Sequence, residues 1–350
     1  MLMKMAVVGL GYWGPNIVRN FSDSEQVESV LCFDSDPQRM EKTARKLPRT
    51  RSAKSFEEVL ASDVHGVAIV TPTSHHYALA RKALEAGKHV LVEKPLAMTS
   101  EECASLIAIA QDRKLILMVD HTFVYTGAVR KMKEIVSQGD IGDLYYFDSV
   151  RVNLGLLQHD VNVLWDLAPH DLSIMSYLLD QKPTAVSAVG ISHYNHQEDI
   201  AYMTVHFGER LLAHIHVNWL APVKVRRILI GGSKKMIVYD DTESIEKVRV
   251  YDSGVQMVSR EGIYRTLVEY RTGDMSAPKL DNTEALSLVV ADFINAIRTG
   301  IAPVSDGLSG LEVVRILEAS QLSIKNQGAL VNLTDGTIES PYEHVTKNRT

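Results

Sequence analysis

The stretch Met5–Gly14 constrains the fold of this chain more than any other. It begins with a short apolar run, Met5–Val8, which is typical of a buried strand. Three glycines follow in the spacing G-x-G-x-x-G, namely Gly9, Gly11 and Gly14. In a dinucleotide-binding turn the first glycine permits the tight turn, the second lets the backbone approach a pyrophosphate, and the third lets the next helix pack closely. Pro15 suits the first turn of that helix, whose free N–H groups face the phosphates.

The residues after this turn also fit dinucleotide binding. A second predicted strand, Val30–Phe33, ends in Asp34, twenty residues after Gly14. A carboxylate at this position can hydrogen-bond the adenosine ribose hydroxyls. Asp34 also favours NAD over NADP, because it repels the extra phosphate and Ser35 adds no positive charge beside it. The alternative is an ordinary α/β turn with a solvated aspartate.

The composition argues against several classes of protein. The 350-residue chain has a net charge of -6, whereas a general nucleic-acid or membrane-surface binder needs a basic face. Its two cysteines, Cys32 and Cys103, provide neither a disulfide framework nor a zinc spacing. No apolar run approaches the roughly 20 residues of a membrane span, and Met1–Met5 is too short for a signal peptide. We therefore expect a cytoplasmic protein without a nucleic-acid or membrane partner.

Predicted strands and helices alternate from residue 5 to about residue 120, as in a Rossmann-type domain with a parallel sheet. Buried runs at Gly66–Val70 and His89–Val92 lead into polar loops at the carboxyl edge of that sheet, where ligands bind in such folds. We expect the cofactor to contact the glycine turn and these loops. The predicted contacts are Gly9, Gly11, Tyr12, Trp13, Gly14, Asp34, Thr71, Pro72, Thr73, His76, Glu93 and Lys94.

The pattern changes in the second half of the chain, where strand-like segments follow one another. These predicted strands are Leu144–Val152, Thr184–Ser192, Ala201–Phe207, Leu211–Trp219 and Val225–Ile230. Turn residues such as Gly208-Glu209 and Gly231-Gly232 separate them, which favours an antiparallel sheet. Helices that include Glu284–Thr299 and Leu308–Asn326 are expected to cover one face and leave the other free to be an interface. We therefore predict an α/β protein with two domains, residues 1–122 for dinucleotide binding and residues 123–350 for substrate binding and oligomerisation.

Lys94 is the first candidate catalytic residue. It follows a hydrophobic strand and precedes Pro95, which holds it at the sheet edge where the nicotinamide is expected. A lysine there can hydrogen-bond a substrate hydroxyl and stabilise the alkoxide that forms as hydride leaves. The alternative is a strand-end lysine in solvent, paired with Glu93, and position alone does not separate the two.

The segment Asn162–Asp171 carries the second candidate. Asp166 and His170 are four residues apart, so on a helix they share one face and can hydrogen-bond. Such a pair is a general base oriented by a carboxylate, because histidine titrates near neutral pH and the acid fixes its tautomer. The alternative is a capping aspartate and a packed histidine. The predicted substrate contacts are Lys94, Asn153, Asn162, Asp166 and His170, although the asparagines and Asp160 equally suit turn caps.

Other histidines are expected to be structural, namely His75, His159, His214 and His216. His76, at the end of the Thr71 loop, has the same structural alternative to cofactor binding. His214 and His216 alternate on one predicted strand, which suits a metal, but no third ligand of clear spacing accompanies them. We therefore predict no metal site.

Together these motifs resemble the Gfo/Idh/MocA oxidoreductases, named for glucose-fructose oxidoreductase and inositol dehydrogenase. The resemblance spans nearly the whole chain and rests on Gly9–Gly14, Thr71–His76, Ala86–Pro95 with its Glu-Lys-Pro ending, and Asp166-x-x-x-His170. It implies a Rossmann domain joined to an α+β domain with an open, mostly antiparallel sheet. It also implies a tightly held NAD(P) and hydride transfer between the nicotinamide and a sugar or cyclitol carbon. In that family the lysine and histidine serve the alcohol proton, the Lys-Pro bond is often cis, and assembly through the open sheet face implies a homodimer or homotetramer.

Two segments narrow the resemblance. Gly9–Asn16 and Asn162–Asp171 resemble members that serve nucleotide-sugar pathways of surface polysaccharides and oxidise the sugar C3 hydroxyl before amination. Ala168 and Ser173 depart from the glycine and aspartate common in the family but leave Asp166 and His170 in place. The resemblance thus implies an NAD-dependent dehydrogenase of a nucleotide-linked sugar. The alternatives are a dehydrogenase of a free sugar or inositol, a glycoside hydrolase with recycled NAD, and a non-catalytic NAD-sensing or assembly protein.

Overall fold

The computed structural model describes residues 2–47, 50–155, 161–194, 196–257 and 268–333. Its contacts divide the chain into two units, the first built from residues 1–125 with 283–318 and the second from residues 126–282 with 319–334. This division differs from the predicted one at residues 122–123, because the segment 283–318 belongs to the first unit.

The strands in chain order are β1 (Met3–Val8), β2 (Val27–Phe33), β3 (Thr50–Ser52), β4 (Gly66–Ile69), β5 (His89–Glu93), β6 (Leu117–Asp120), β7 (Leu144–Leu154), β8 (Ala185–Ile191), β9 (Ile200–Phe207), β10 (Leu211–Asn218), β11 (Leu220–Gly232), β12 (Met236–Asp240), β13 (Val248–Tyr251), β14 (Gly254–Met257), β15 (Val268–Arg271), β16 (Met275–Ser276) and β17 (Val331–Asn332). The helices are α1 (Gly14–Asp23), α2 (Pro37–Lys46), α3 (Phe56–Ala61), α4 (His76–Glu85), α5 (Ser100–Asp112), α6 (Gly127–Ser137), α7 (Val163–Leu178), α8 (Ala285–Thr299) and α9 (Gly307–Lys325). Thr73–His75 and Thr122–Tyr125 form short 3-10 turns. Among the residues described, no helix is both long and apolar enough to cross a membrane.

The first unit is built on a parallel sheet with the strand order β3-β2-β1-β4-β5-β6. Side chains in the central strands, such as Val7 and Ile69, are fully buried, as the continuous apolar runs of the sequence predict. The strand order reverses between β1 and β4, and ligands in such sheets bind at the carboxyl ends of the strands beside this point. The predicted Rossmann-type fold is confirmed.

Helix α8 does not cover the antiparallel sheet, so this prediction is wrong. It packs within the first unit, against α1 and the Thr122–Tyr125 turn. Phe293 of α8 is buried beside Gly66 at the start of β4, where a Cβ would lie 3.1 Å from the phenyl ring. Arg19 of α1 also pairs with Glu284, which precedes α8. The apolar stripe predicted the helix, but a stripe does not specify which of two sheets it covers.

The second unit is built on a sheet with the order β16-β13-β12-β11-β7-β10-β9-β8-β17. Its neighbouring strands are antiparallel except for β7 and β10, which run parallel. Helix α7 packs on one face, against β7, β9 and β10. The sequence predicted β7 to β11 but missed the shorter strands after them. Gly231 and Gly232 end β11 at the predicted turn, where the N–H of Gly232 donates to the carbonyl oxygen of Lys235 before β12 begins.

Candidate active site

The glycine turn connects β1 to α1, and close packing requires two of its glycines. Gly9 has a φ of +96°, and a Cβ on it would lie 2.4 Å from the carbonyl oxygen of Val70. A Cβ on Gly14 would lie 2.1 Å from the carbonyl oxygen of Gly9. The space around Gly11 is open, since the nearest atom to a Cβ there would be Nη1 of Arg39 at 3.9 Å. The turn therefore fits a pyrophosphate that approaches the backbone at Gly11 and the first N–H groups of α1.

Asp34 follows β2 and is held by the glycine turn. Its carboxylate accepts the N–H of Leu10 at 2.6 Å and the N–H of Asp36 at 2.8 Å. Arg39, in the first turn of α2, brings Nη1 to 3.7 Å from Oδ2 of Asp34. The sequence predicted no positive charge beside Asp34, and Arg39 supplies one. The sequence feature that could have indicated Arg39 is the N-cap residue Asp36. It starts α2 and so brings the first turn of this helix back toward the Asp34 carboxylate.

A cleft of about 510 Å³ lies along the carboxyl edge of the parallel sheet and has the size of a ligand-binding site. The predicted cofactor contacts that line it are Gly9, Gly11, Tyr12, Trp13, Asp34, Thr71, Pro72 and Glu93. Four other predicted contacts lie outside its lining, namely Gly14, Thr73, His76 and Lys94. The lining residues that sequence analysis did not assign to the cofactor are Val8, Phe33, Ser35, Arg39, Val70, His75 and Leu79.

His76 ties two loops together, as its structural alternative predicts, and its contact with the cofactor stays a prediction. Its ring is fully buried, with Nδ1 2.8 Å from the carbonyl oxygen of Pro95 and Nε2 2.8 Å from the carbonyl oxygen of Thr71. Burial lowers the pKa of the imidazole, and the two carbonyl contacts oppose that shift. The structural alternative therefore describes His76, which fixes the loop after β4 to the loop after β5.

Glu93 and Asp120 end the adjacent strands β5 and β6 and face each other in register. Asp120 accepts the indole N–H of Trp13 at 2.9 Å and the hydroxyl of Thr122 at 2.6 Å. Burial, followed by the charge of Asp120, raises the pKa of Glu93 well above its usual range. The predicted partner of Glu93 was Lys94, whereas Asp120 is its neighbour in register because adjacent parallel strands end at the same edge.

Lys94 follows β5 at this edge, and the Lys94–Pro95 peptide bond is cis. Burial and the positive charge of Lys94 lower the pKa of His121, the residue after β6, to about 3. His121 is 2% exposed, and its ring nitrogens have no hydrogen-bond partner within the described part of the chain. The carboxyl edge thus carries one lysine beside a neutral histidine and a pair of carboxyl groups.

Asn162 is the N-cap of α7, the helix that carries the second group of predicted residues. Its side-chain oxygen accepts the N–H of Trp165 at 3.2 Å, and its amide nitrogen donates to Glu198 at 2.7 Å and to Gln321 at 2.5 Å. Both amide N–H donors are therefore used within the protein. These contacts are those of the capping alternative, and the substrate contact of Asn162 stays a prediction.

Asp166 lies in the first turn of α7 and is tied to the end of β10. Its Oδ2 accepts the indole N–H of Trp219 at 3.0 Å, and Trp219 is 2% exposed. No role was predicted for Trp219, because a bond between residues 53 positions apart leaves no local pattern in the sequence. A carboxylate fixed in this way can orient a histidine one helical turn later, and the bond from Asp166 to His170 stays a prediction.

His170 precedes a buried ion pair that sequence analysis also missed. Nε and Nη2 of Arg151 each donate to the Asp171 carboxylate at 2.9 Å, with both side chains almost inaccessible. Since Arg151 lies on β7, the pair fixes the turn of α7 that carries His170. Asn153 lies two residues along β7 and therefore on the same face of the sheet. Its role in substrate binding stays a prediction.

The two alternating histidines of β10 make contacts within the sheet. Nδ1 of His214 lies 2.9 Å from Asp148, and the ring of Tyr202 stacks on His216 with the centroids 4.3 Å apart. No cluster of three or more metal-ligating side chains occurs among the residues that the structure describes. His159 and Asp160 lie outside those residues.

Protein-family models match parts of both units. Residues 3–121 match the model described as an oxidoreductase family with an NAD-binding Rossmann fold. Residues 129–238 match the model of the GFO/IDH/MocA C-terminal domain.

Two curated relatives are sugar or cyclitol dehydrogenases. The UDP-N-acetylglucosamine 3-dehydrogenase of Acidithiobacillus ferrooxidans is 29% identical over 313 residues, which cover 89% of this chain and 94% of the relative. The NAD(+)-dependent scyllo-inositol 2-dehydrogenase of Bacillus subtilis is 31% identical over 196 residues, which cover 54% of this chain and 57% of the relative.

Solved structures agree with these matches. The structure of the Acidithiobacillus ferrooxidans enzyme has a TM-score of 0.78 at 26% identity and covers 93% of this chain and 99% of its own. Levoglucosan dehydrogenase in complex with NADH and levoglucosan shares the fold, with a TM-score of 0.81 at 19% identity over 96% of this chain and 100% of its own. The chain is therefore an oxidoreductase with an NAD-binding Rossmann domain. Together the two family models match more than half of the chain, which therefore belongs to the Gfo/Idh/MocA family of oxidoreductases.

Proposed function

We propose that this enzyme oxidises the C3 hydroxyl of a UDP-linked N-acetylhexosamine to a ketone. The observation that carries the proposal is the similarity to UDP-N-acetylglucosamine 3-dehydrogenase, which extends over 89% of this chain and 94% of that enzyme. An alignment of this length includes residues of both the nucleotide-binding unit and the second unit. It therefore supports a similar substrate as well as a similar cofactor.

The proposed mechanism assigns the proton and the developing charge to residues of the chain. Lys94 donates a hydrogen bond to the substrate hydroxyl and stabilises the alkoxide as the carbon loses hydride. Bound NAD supplies the hydride acceptor. His170 removes the hydroxyl proton as general base, and Asp166, held by Trp219, orients its ring. Asn153, on the face of β7 that carries Arg151, is proposed to bind a sugar hydroxyl.

Two alternative functions differ in their products. A dehydrogenase of a free sugar or inositol is favoured by the similarity to scyllo-inositol 2-dehydrogenase, and it would reduce NAD without a nucleotide on the substrate. A glycoside hydrolase with recycled NAD would release a free sugar without net formation of NADH.

Nicotinamide absorbance on mixing the protein with NAD and single substrates tests the proposal. We expect NADH with UDP-N-acetylglucosamine, and none with N-acetylglucosamine or the inositols. Mass spectrometry of the same mixture should show a sugar nucleotide that has lost two hydrogen atoms. NADH with only a free sugar or an inositol would contradict the proposal, and release of a free sugar without NADH would support the hydrolase.

We also propose that the chain forms a homodimer or homotetramer through the sheet face opposite α7. Side chains on this face are exposed, including Val189, Tyr202 and Leu212, whereas Ala213 and its alternate neighbours face the core. Val189 and Tyr202 are register partners, so apolar groups lie side by side across adjacent strands. Light scattering of the wild type and Tyr202→Glu tests this assignment. A wild-type monomer at micromolar concentration would contradict it, and so would an oligomer that the substitution leaves intact.

A further inference from the structure

Glu93 and Asp120 face each other in register at the ends of β5 and β6, and Asp120 is 2% exposed. Two carboxyl groups that share such a site disfavour each other's ionised form, so we infer that the pair keeps one proton. Trp13 and Thr122 both donate to Asp120, at 2.9 Å and 2.6 Å, which stabilises its ionised form. The proton therefore belongs to Glu93. In the free protein the pair carries one proton and one negative charge.

Among the charged groups at the carboxyl edge of the parallel sheet, the Glu93 and Asp120 pair is the one that we expect to change its protonation state. Lys94 directly follows Glu93 and supplies one positive charge. His121 follows Asp120, and its pKa of about 3 keeps it neutral. Burial also lowers the pKa of His76, behind the same loop. The single negative charge of the pair thus balances the single positive charge of Lys94.

Glu93 lies at the end of the cleft where the nicotinamide belongs. The cleft passes from Asp34 after β2, past Gly11 after β1, to Glu93 at the end of β5, which follows the strand order of the sheet. With the adenosine ribose at Asp34 and the pyrophosphate at Gly11, the nicotinamide falls on the Glu93 side. The oxidised ring carries a positive charge that the reduced ring lacks. A positive charge within about 4–6 Å favours the ionised form of a carboxyl group.

We propose that the Glu93 and Asp120 pair releases its shared proton when NAD⁺ binds and keeps it when NADH binds. The proton passes from the carboxyl group of Glu93 to solvent, and no bond of the cofactor changes. Linkage then makes NAD⁺ bind more tightly as pH rises, by up to about tenfold per pH unit where the free pair is protonated and the complex is not. NADH affinity stays constant over that range. The proposal concerns the cofactor alone and is independent of which sugar the enzyme oxidises.

Isothermal titration calorimetry of the cofactor-free, full-length protein tests the proposal. NAD⁺ and NADH are each titrated at several pH values between about pH 6 and pH 9, in two buffers with different ionisation enthalpies. The difference in heat between the buffers gives the number of protons released. We expect up to one proton per site with NAD⁺ and none with NADH. Equal release with both cofactors, or no release with NAD⁺ at any pH, overturns the proposal.

Variants assign the proton to a residue. Glu93→Gln removes the titrating group but keeps an N–H donor beside Asp120, so we expect NAD⁺ binding without proton release and without pH dependence. Glu57→Gln, at an exposed carboxyl of α3, is the matched control and should release as many protons as the wild type. Release that persists in Glu93→Gln and disappears in Lys94→Met would assign the proton to Lys94 and overturn the proposal. The wild-type titrations decide by themselves where Glu93→Gln does not fold.

Discussion

Arg39 places Nη1 of its guanidinium 3.7 Å from Oδ2 of Asp34, and both side chains line the same cleft. The two groups differ in accessibility, since the Asp34 side chain is 6% exposed and the Arg39 side chain 54%. A guanidinium is a preferred ligand for phosphate, and here a carboxylate is already beside it. The choice between NAD and NADP in this chain therefore depends on both charges and not on Asp34 alone.

Asp34→Asn should shift the cofactor preference toward NADP. The amide keeps an acceptor for the backbone but removes the charge that repels the extra phosphate and holds Arg39. We expect the ratio of kcat/KM with NADP to kcat/KM with NAD to rise by about tenfold or more, which corresponds to about 1.4 kcal/mol. Adding Arg39→Ala should abolish that gain. A gain that survives in the double variant would show that Arg39 has no part in cofactor choice.

Lys94→Met should leave NAD binding within a few-fold of the wild type and lower turnover by about two orders of magnitude or more. The reason is that methionine retains the apolar stem but cannot donate to the substrate hydroxyl or stabilise the alkoxide. Binding is measured by calorimetry and turnover by nicotinamide absorbance. Lys82→Met, at an exposed position of α4, is the matched control and should keep full activity. Near-normal turnover of Lys94→Met would remove Lys94 from the mechanism.

Trp219→Phe tests whether the anchored carboxylate of Asp166 matters for turnover. The substitution keeps the buried ring but removes the N–H that donates to Asp166 at 3.0 Å. A less restrained carboxylate orients His170 less well, so we expect kcat to fall by about tenfold with little change in NAD affinity. The melting temperature of the variant shows whether the fold is retained. A folded variant with wild-type kcat would mean that Asp166 acts without this bond or does not act.

Local patterns in the sequence were sufficient for the cofactor turn. Gly9 and Gly14 each lie so close to backbone atoms that a Cβ would not fit, so the fold requires glycine at both positions. Asp34 follows the next strand at the expected distance for the same reason. Such features depend on a short segment and its immediate neighbours, which is why periodicity and spacing predicted them.

Most of the missed relationships join residues that are distant in the sequence. The contacts from Trp219 to Asp166 and from Arg151 to Asp171 cross 53 and 20 positions, and no short pattern encodes either. The Glu93 and Asp120 pair depends on strand register, which brings the polar ends of two strands together. Periodicity identifies which residues face a core, but it does not identify the group that each one meets there.

His89 should make the stability of the protein decrease in mild acid. Its Nδ1 accepts the N–H of Ile116 at 2.9 Å, and burial lowers its pKa to about 4. The unfolded chain binds a proton at this residue near pH 6.5, whereas the folded chain does not until about pH 4. Stability from His89 is therefore present above about pH 6.5 and is lost as pH falls toward 4.

Urea unfolding of the wild type and His89→Asn measures this effect. The asparagine oxygen can accept from Ile116 but does not titrate. Between about pH 7.5 and pH 5, the wild type should lose about 2 kcal/mol of unfolding free energy relative to His89→Asn. His75→Asn, at an exposed position, should retain the wild-type pH dependence. Parallel curves for the wild type and His89→Asn would contradict the assignment.

Asp171→Asn should be strongly destabilising because it removes the carboxylate charge from beside the buried guanidinium of Arg151. Both side chains are at most 3% exposed, so we expect a loss of about 3–5 kcal/mol of unfolding free energy by chemical denaturation. Asp180→Asn, in the exposed pair with Lys133, is the matched control and should cost less than about 1 kcal/mol. Replacing both Arg151 by Met and Asp171 by Leu should cost less than Asp171→Asn alone, because no buried charge then remains. Equal costs for the buried and exposed pairs would show that the ion pair does not fix α7 to β7.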